Sequence, residues 1–501
     1  MRRADRRGGA MRTRFFEVCA AAVIALAGCA PAGGQTTGST APRDRPVGQR
    51  GVQWTYDATV ASNADGVGVR MCFPGRPSKA LRPIVSEAIA HIEGLAIEGR
   101  DAPLAIEDGV VVLEGMRAGE CVRWRVDFRA MAKREGERTI AWVGDSVLVR
   151  QSMWLLWPDD ATIDAHPTLT LHLPAGTSAS VPWPLTEGAT TGSAPNYVLD
   201  TTVSRWLGYN AFGRLDIDRF EHKGAAVEIV RLDQPIACDQ AGVRRWLTDA
   251  IDGAAMLYDT YPRRRLQVVV VPVAGGDGTI YFGAAARGGG AGVYLLLDDA
   301  ATAERLPGGW TTVHELLHHG MPFVSDPWMS EGFVSYYTEV VRTRQGHRDE
   351  AAGWLELWLA FERGAGRGRG MTLRETSDAM HQSHAYQRVY WGGAAIALDL
   401  DVTMRLETGG KRTFDDAMKH LRECCGDAVF QYDADELLAI LDRWYGTPLF
   451  TRIARAHLDA RGFPDIASIF ARLGMRAKAG VIEIDADHPA AGARAAIMAP
   501  R

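Results

Sequence analysis

The chain has 501 residues, a length that favours about two to four domains over a single one. Hydrophobic residues make up 47% of the sequence and charged residues 23%, which is normal for a globular protein and excludes wholesale disorder. The formal net charge of -5 at pH 7 gives no electrostatic reason to expect nucleic acid as a partner, so none is predicted.

The N-terminus has the pattern of a secretory signal. An arginine-rich start, residues 2–14, precedes an apolar run, Val18–Ala27, that is too short for an ordinary membrane span. The overlapping residues 26–29 (LAGC) resemble the bacterial lipobox, in which the cysteine is lipidated. We therefore predict a lipoprotein signal peptide over residues 1–28. The alternative is a plain signal peptide with a chance cysteine.

A lipid on Cys29 would hold the protein in a membrane. Residues 30–50 are rich in Gly, Pro, Thr and Ser and bury little apolar area, so residues 29–51 are predicted to be the lipidated cysteine and a flexible tether. Ala30 follows the cysteine, where an aspartate would favour retention in the inner membrane. The predicted location is the cell envelope, on the periplasmic face or the surface, with the outer membrane favoured in a Gram-negative cell.

Residues 52–236 are predicted to form a β-sandwich-like N-terminal domain. Apolar and polar residues alternate with period two in segments such as 122–128 and 169–173, and Gly, Pro and Asp clusters interrupt them. Cys72 and Cys121 both lie in this region, where they could pair. The pairing of the five cysteines after Cys29 stays open; the others are Cys238, Cys424 and Cys425.

From about residue 237 helical spacing replaces the alternation, first over residues 243–258. Two strand-like runs follow, 266–271 and 293–297, with a glycine-rich stretch between them. The chain from Trp310 to about Leu473 is mostly helical by its pattern, and Thr413 with Asp416 resembles a helix-starting capping box.

The segment with candidate metal-binding and catalytic residues is 311–319 (TTVHELLHH). Four residues of α-helix turn the chain by about 400°, so His314 and His318 project from nearly the same face, one turn apart. Two imidazoles at this spacing can bind one metal ion, and Glu315 lies beside them as a candidate base. The alternative is an ordinary helix with two hydrogen-bonded histidines.

A second segment, residues 328–337 (WMSEGFVSYY), supplies a candidate third ligand. Pro327 precedes it, Ser330 is a predicted N-cap, and Glu331 in the first turn suits the helix dipole. Glu331 is therefore either a favourable first-turn carboxylate or a metal ligand. Imidazole with carboxylate is a donor set that zinc accepts.

These segments together resemble the gluzincin metallopeptidases, whose third zinc ligand is the Glu of a W-x-x-E-G-[FA] motif. Residues 389–394 (VYWGGA) also resemble their Y-x-K-G-A helix start. The chain is most similar to the glycyl aminopeptidase family and more distantly to the aminopeptidase N family, over about residues 240–470.

The resemblance implies specific roles. One Zn2+ per chain would be held by His314, His318 and Glu331, with Glu315 as the base that activates the attacking water. Tyr390 would donate a hydrogen bond to the oxyanion, with the alternative that it is a packed aromatic residue; His384 is a rival donor. The implied partner is a peptide or protein substrate.

Two departures from the families bear on specificity. Gly392 stands where the Y-x-K-G-A motif has lysine, and residues 286–293 carry no acid where those enzymes recognise the substrate's free amino group. Gly289, Gly290 and Ala291 could still let a substrate backbone approach closely, or they could form a plain surface loop.

The predicted fold class is multidomain, β followed by α+β. A β-sandwich-like domain precedes a thermolysin-like zinc peptidase domain over 237–365, a helical C-terminal domain over 366–475 and a tail over 476–501. The predicted function is zinc-dependent peptide hydrolysis by a cell-envelope lipoprotein. Two alternatives remain: an aminopeptidase with an unconventional anchor for the N-terminus, and a catalytically weak zinc-bearing lipoprotein that binds peptides.

Overall fold

The computed structural model describes residues 52–187, 194–275, 280–367 and 370–500. The predicted signal peptide, the lipidated Cys29 and the tether lie outside these residues. Within them, no helix has both the length and the apolar character needed to cross a membrane.

The N-terminal region consists of short strands, 3-10 turns and one short helix, α1. The strands are β1 Thr55–Val60, β2 Gly66–Cys72, β3 Ala80–Pro83, β4 Ile92–Ile97, β5 Ile106–Glu107, β6 Val110–Val112, β7 Cys121–Asp127, β8 Ile140–Val143, β9 Ser146–Arg150, β10 Leu156–Pro158, β11 Thr168–His172, β12 Ser178–Ser180, β13 Asn196–Val198 and β14 Tyr209–Gly213; α1 is Phe128–Ala132. They form three sheets, in the orders β13-β11-β1-β2-β7-β4, β10-β3-β6-β5 and β12-β14-β9-β8.

The predicted alternation along these strands is confirmed. In β7, Val122, Trp124 and Val126 are buried while Arg123 and Arg125 are exposed, because successive side chains of a strand point to opposite faces. The buried side chains join one apolar core that runs through the N-terminal sheets.

The disulfides answer a question that the sequence leaves open. Cys72 and Cys121 are register partners on β2 and β7 and form a disulfide. The adjacent Cys424 and Cys425 form a second one, and Cys238 is free and buried.

A five-stranded sheet follows, in the order β15-β16-β17-β19-β18. Its strands are β15 Asp216–His222, β16 Ala225–Arg231, β17 Arg265–Val273, β18 Ile280–Ala286 and β19 Gly292–Asp298. β17 is parallel to β16 and β19, whereas β18 is antiparallel to β19 and forms the edge. β15 and β16 precede the predicted boundary after residue 236, yet they belong to this sheet. The alternation of apolar and polar residues along β15 and β16 does not indicate which sheet they join.

The remainder of the chain is largely helical. The helices are α2 Gln240–Tyr258, α3 Trp310–His318, α4 Pro327–Arg344, α5 Glu350–Ala365, α6 Leu373–Asp378, α7 Met380–Ser383, α8 Tyr386–Thr408, α9 Phe414–Cys425, α10 Ala434–Tyr445, α11 Leu449–Leu458, α12 Ile466–Ala471 and α13 Ala491–Met498. The predicted capping box at the start of α9 is confirmed, since Thr413 and Asp416 exchange side-chain to backbone hydrogen bonds. A single apolar core joins these helices to the five-stranded sheet.

The segment predicted to be a tail has regular structure. Strands β20 Met475–Lys478 and β21 Val481–Ile484 pair as a hairpin, and α13 follows. Ile497 is fully buried and its carbonyl oxygen accepts a hydrogen bond of 2.8 Å from Arg344 Nε. An alanine-rich helix of two turns has too few large apolar residues to show a clear period in the sequence.

Candidate metal centre

Helix α3 presents His314 and His318 side by side, as their spacing predicts. The ring centroids lie 4.8 Å apart and the two Nε2 atoms 3.2 Å apart. Val313, Leu316 and Leu317 are almost fully buried on the other sides of the helix and fix it to the core.

Glu331 reaches the same point from α4. Its Oε2 lies 3.1 Å from His314 Nε2 and 3.3 Å from His318 Nε2. One ligand atom from each of the three residues falls within 4.8 Å of the others. The predictions that Ser330 is the N-cap and that Glu331 lies in the first turn are wrong: α4 begins at Pro327, whose fixed φ suits the first helical position, and the N-cap is Asp326. Glu331 therefore lies beyond the first turn.

The donor set fits a zinc ion. Two imidazole nitrogens and one carboxylate oxygen converge, as in catalytic zinc sites that keep a fourth position open. Burial alone would raise the pKa of Glu331, but His318 and His314 hold it well below its ordinary value, so the carboxylate is charged. A charged carboxylate is the form that binds a cation.

Thr338 sets the tautomer of His314. Its Oγ1 donates to the Val334 carbonyl oxygen at 2.8 Å and lies 3.3 Å from His314 Nδ1. A hydroxyl has one proton to donate, so Thr338 accepts from Nδ1–H, and Nε2 is the nitrogen that faces the site and can bind a metal ion. No motif in the sequence singles out Thr338. Its spacing from Glu331 could have indicated it, since residues seven apart in a helix share a face.

The side chain of Glu315, a residue of α3, lies between this helix and the edge strand β18. Its Oε2 accepts a hydrogen bond of 2.8 Å from the Ala285 backbone N–H. A Cβ on Gly283 would stand 2.8 Å from Glu315 Cγ, so glycine lets the strand approach the helix this closely. Burial raises the pKa of Glu315, which makes the carboxylate more basic than an exposed one.

Tyr390, on α8, stacks on His314 with ring centroids 5.8 Å apart and planes inclined by 13°. Burial, with added effects from Glu331 and Glu315, raises the pKa of Tyr390 well above its ordinary value, so its hydroxyl keeps the proton it would donate. The rival donor His384 is exposed, and its recorded ring contact is with Tyr386. The structure thus brings Tyr390 to the cluster, whereas no contact joins His384 to it.

The departure at Gly392 has a steric cause. A Cβ there would lie 2.8 Å from Leu373 Cδ1, so any side chain at this position would require Leu373 of α6 to shift.

The glycine turn predicted to bind substrate lies elsewhere. Gly289 packs against Trp183 and Val203 of the N-terminal region, and its N–H donates to Thr202 Oγ1 at 2.7 Å. A Cβ on Gly290 would run into the Pro182 carbonyl, and Ala291 is buried. Within the part of the chain that the structure describes, Gly289, Gly290 and Ala291 make no hydrogen bond with the metal cluster. The strand beside the cluster is β18, whose Ala285 precedes Gly289 by four residues.

His319 holds β18 and β19 to the end of α3. Its Nε2 lies 3.3 Å from the Ala286 carbonyl oxygen and 3.1 Å from that of Gly292, so Nε2 carries a proton and Nδ1 accepts from the Tyr261 hydroxyl at 2.6 Å. Arg287 donates to the His318 carbonyl oxygen and Arg263 to that of His319. Both arginines satisfy free carbonyls of this helix end, and no motif in the sequence singles them out.

Solved structures of known proteins share this fold. The chain is similar to an aminopeptidase N family protein from Idiomarina loihiensis, with 18% identity and a TM-score of 0.65 over 84% of this chain and 78% of that one. It is similar to an M1 zinc metallopeptidase from Deinococcus radiodurans, with 16% identity and a TM-score of 0.52 over 83% and 95%. Native yeast LTA4 hydrolase gives 12% identity and a TM-score of 0.51 over 83% and 68%.

No protein-family model and no curated protein matches the sequence. At these identities the likeness shows the fold. It confirms the predicted fold class and, at the level of architecture, the resemblance to zinc aminopeptidase-like proteins.

Proposed function

We propose that this protein is a zinc-dependent metallopeptidase that hydrolyses peptide bonds. The observation that carries the proposal is the convergence of His314, His318 and Glu331 within 4.8 Å, next to the partly buried Glu315. A purely structural cluster would not need a further carboxylate that is close to the imidazoles but outside their ligand set.

The three ligand residues would hold one Zn2+ through His314 Nε2, His318 Nε2 and a Glu331 carboxylate oxygen. When bound, zinc supplies Lewis-acid chemistry, polarising a carbonyl and lowering the pKa of water. Zinc is also the metal named for the Deinococcus structure of similar fold.

The side chains of this chain would carry the proton transfers. Glu315 takes a proton from the attacking water and returns it to the leaving amine, a task for which its raised pKa suits it. Tyr390 donates its hydroxyl proton in a hydrogen bond to the oxygen that becomes negative. Thr338 keeps His314 in the tautomer that presents Nε2.

The proposed substrate is a peptide bound along the outer edge of β18. One Deinococcus structure of similar fold is a mutant bound to a Tyr-Ser-Ala substrate. In this chain Ala286 is buried in the apolar interface with Tyr209 and Tyr294, so β18 offers no carboxylate there for a free N-terminal ammonium. We therefore propose cleavage that does not depend on a free N-terminus; an aminopeptidase with an anchoring acid elsewhere is the alternative.

The cellular part of the proposal rests on the sequence. The arginine-rich start, the apolar run and the LAGC segment support an envelope lipoprotein anchored at Cys29. Metabolic labelling with a radioactive fatty acid should mark the wild type and not Cys29→Ala, and label in both proteins would contradict the anchor.

The central experiment combines metal analysis with peptide hydrolysis on the wild type, Glu315→Gln and the control Glu304→Gln, whose side chain is exposed. We expect about one zinc per chain in all three and a kcat about 10²–10⁴-fold lower in Glu315→Gln alone. Equal turnover in Glu315→Gln and wild type would overturn the role of Glu315, and a purified wild type without metal would overturn the site.

Free and N-acetylated forms of one peptide separate the two substrate classes. Comparable kcat/KM for both forms supports cleavage independent of the N-terminus, whereas loss of cleavage on acetylation identifies an aminopeptidase. Tight peptide binding with no turnover in the wild type would favour the binding-lipoprotein alternative.

A further inference from the structure

Trp310 covers one face of the metal-binding imidazole of His314. It is the first residue of α3, one helical turn before His314, and its ring stacks on that imidazole with centroids 4.3 Å apart and planes inclined by 20°. Trp310 is partly exposed, whereas His314 is only 2% exposed. A group that packs on the open part of this indole therefore lies beside the metal centre.

Two further apolar side chains lie near this end of α3, the buried Trp391 and the partly buried Ile280. The Trp391 ring of α8 lies 6.3 Å from that of Trp310, held by a 2.9 Å hydrogen bond from Trp391 Nε1 to Gln387 Oε1. Ile280 of β18 lies next to Gly309, at 3.5 Å from a Cβ there.

The direction of β18 decides which part of a peptide would meet Trp310. The strand and α3 run side by side in the same direction: Ile280 lies by Gly309, Gly283 by Thr311 and Ala285 by Glu315. A peptide that pairs antiparallel with the free edge of β18, the slightly stronger mode of pairing, would run the opposite way. Its residues on the C-terminal side of the scissile bond would then lie toward Ile280 and Trp310.

We propose that Trp310 is a specificity-determining residue, which together with Ile280 receives a large apolar or aromatic side chain on the residue just C-terminal to the scissile bond. This inference rests on the proposed peptidase function. The reason is physical: a flat indole in a partly exposed position offers a large apolar contact with little conformational cost.

The test uses internally quenched peptides that differ only in that residue, Phe or Ala. We expect the wild type to prefer Phe, and Trp310→Ala to lower the Phe/Ala ratio of kcat/KM by about tenfold or more. Trp310→Phe should keep most of the ratio. The control is Trp444→Ala, since Trp444 also stacks on an imidazole, His420, at 5.3 Å and 15°, on helices α10 and α9.

A second readout does not need turnover. In the Glu315→Gln background, dissociation constants for the same two peptides are measured by calorimetry with and without Trp310→Ala, together with zinc content. We expect the proteins with and without Trp310→Ala to contain equal amounts of zinc, and the Trp310→Ala protein to lose the preference for the Phe peptide. An unchanged Phe/Ala ratio in Trp310→Ala would overturn the proposal. An equal loss of affinity for both peptides, or a loss of zinc with the ratio preserved, would also overturn it.

Different results would overturn the peptidase function and the role of Trp310. Absence of hydrolysis in the wild type would overturn the peptidase function, while the ratio of the two dissociation constants would still decide the role of Trp310.

Discussion

Gly332 of α4 and Gly393 of α8 lie in direct contact, such that a Cβ on Gly393 would stand 2.8 Å from the Gly332 Cα. Each glycine is next to or near a residue of the site, since Glu331 precedes Gly332 and Tyr390 lies one turn before Gly393. The close approach of the two helices therefore sets how far the proposed third ligand lies from the proposed oxyanion donor.

Gly393→Ala should destabilise the protein and disturb the site. Because the added methyl would meet the Gly332 backbone and the Trp328 carbonyl oxygen, we expect the free energy of unfolding to fall by about 1–3 kcal/mol and zinc affinity to fall with it. Urea unfolding and zinc titration measure both effects. The control Gly492→Ala lies in open space on α13 and should be neutral or stabilising by up to about 1 kcal/mol. Equal changes in stability and zinc affinity for Gly393→Ala and Gly492→Ala would show that the close contact of Gly393 with Gly332 does not matter.

Removal of a ligand should remove the metal. In Glu331→Ala the imidazoles of His314 and His318 lose the carboxylate that lies 3.1 and 3.3 Å from them, so we expect a zinc affinity lower by at least about tenfold and loss of hydrolysis. Competition with a chelator measures the affinity. An unchanged affinity would show that Glu331 is not a metal ligand.

Tyr390→Phe should separate chemistry from metal binding. The ring can still stack on His314 but has no proton to donate, so kcat should fall by about 10²–10³-fold with zinc content and KM little changed. Steady-state kinetics on one peptide provides the check. A wild-type kcat would make Tyr390 a packing residue only.

Thr338→Val should weaken zinc binding through the tautomer of His314. Valine is similar in shape but accepts no hydrogen bond from Nδ1–H, so we expect a zinc affinity lower by about 10–100-fold. Thr343→Val is a matched control, because Thr343 is also a buried threonine of α4 that donates to the carbonyl four residues back, at Glu339. If both variants bind zinc equally well, the orienting role of Thr338 is disproved.

Asp399 should make stability depend on acid pH. Its carboxylate joins α8 to α11 and to the loop after α12, through His457 at 2.8 Å and Arg472 at 2.6 Å. Burial alone would raise the pKa of Asp399, but His457 and Arg472 hold it below its ordinary value. The ionised group therefore adds stability in full above the unfolded pKa of about 4, and this is lost as the pH falls through the lower folded pKa.

The measurement for Asp399 is urea unfolding of the wild type and Asp399→Asn at several pH values. At pH 7 we expect the variant to be less stable by about 1–3 kcal/mol, with the gap narrowing progressively below about pH 4. If the difference in unfolding free energy between wild type and Asp399→Asn does not change with pH, the carboxylate stabilises the protein by packing and not by its charge.

Some features of this protein follow from short-range pattern alone. The spacing of His314 and His318 puts them on one helix face whatever the surroundings, because the period of the α-helix is local. The alternation along β7 and the capping box at Thr413 and Asp416 are local in the same sense. Glu331 and Tyr390 were singled out by their resemblance to motifs, and the tertiary structure places both near His314.

Other features depend on contacts between residues far apart in the chain. The pairing of β16 with β17, the turn of Gly289 packed on Trp183, the disulfide partners and the arginines at the end of α3 leave no periodic trace in the sequence. The amino-acid sequence alone therefore determined which residues could carry the chemistry. Only the tertiary structure decided which of them meet, because burial and hydrogen bonding between distant segments depend on the packing of the whole chain.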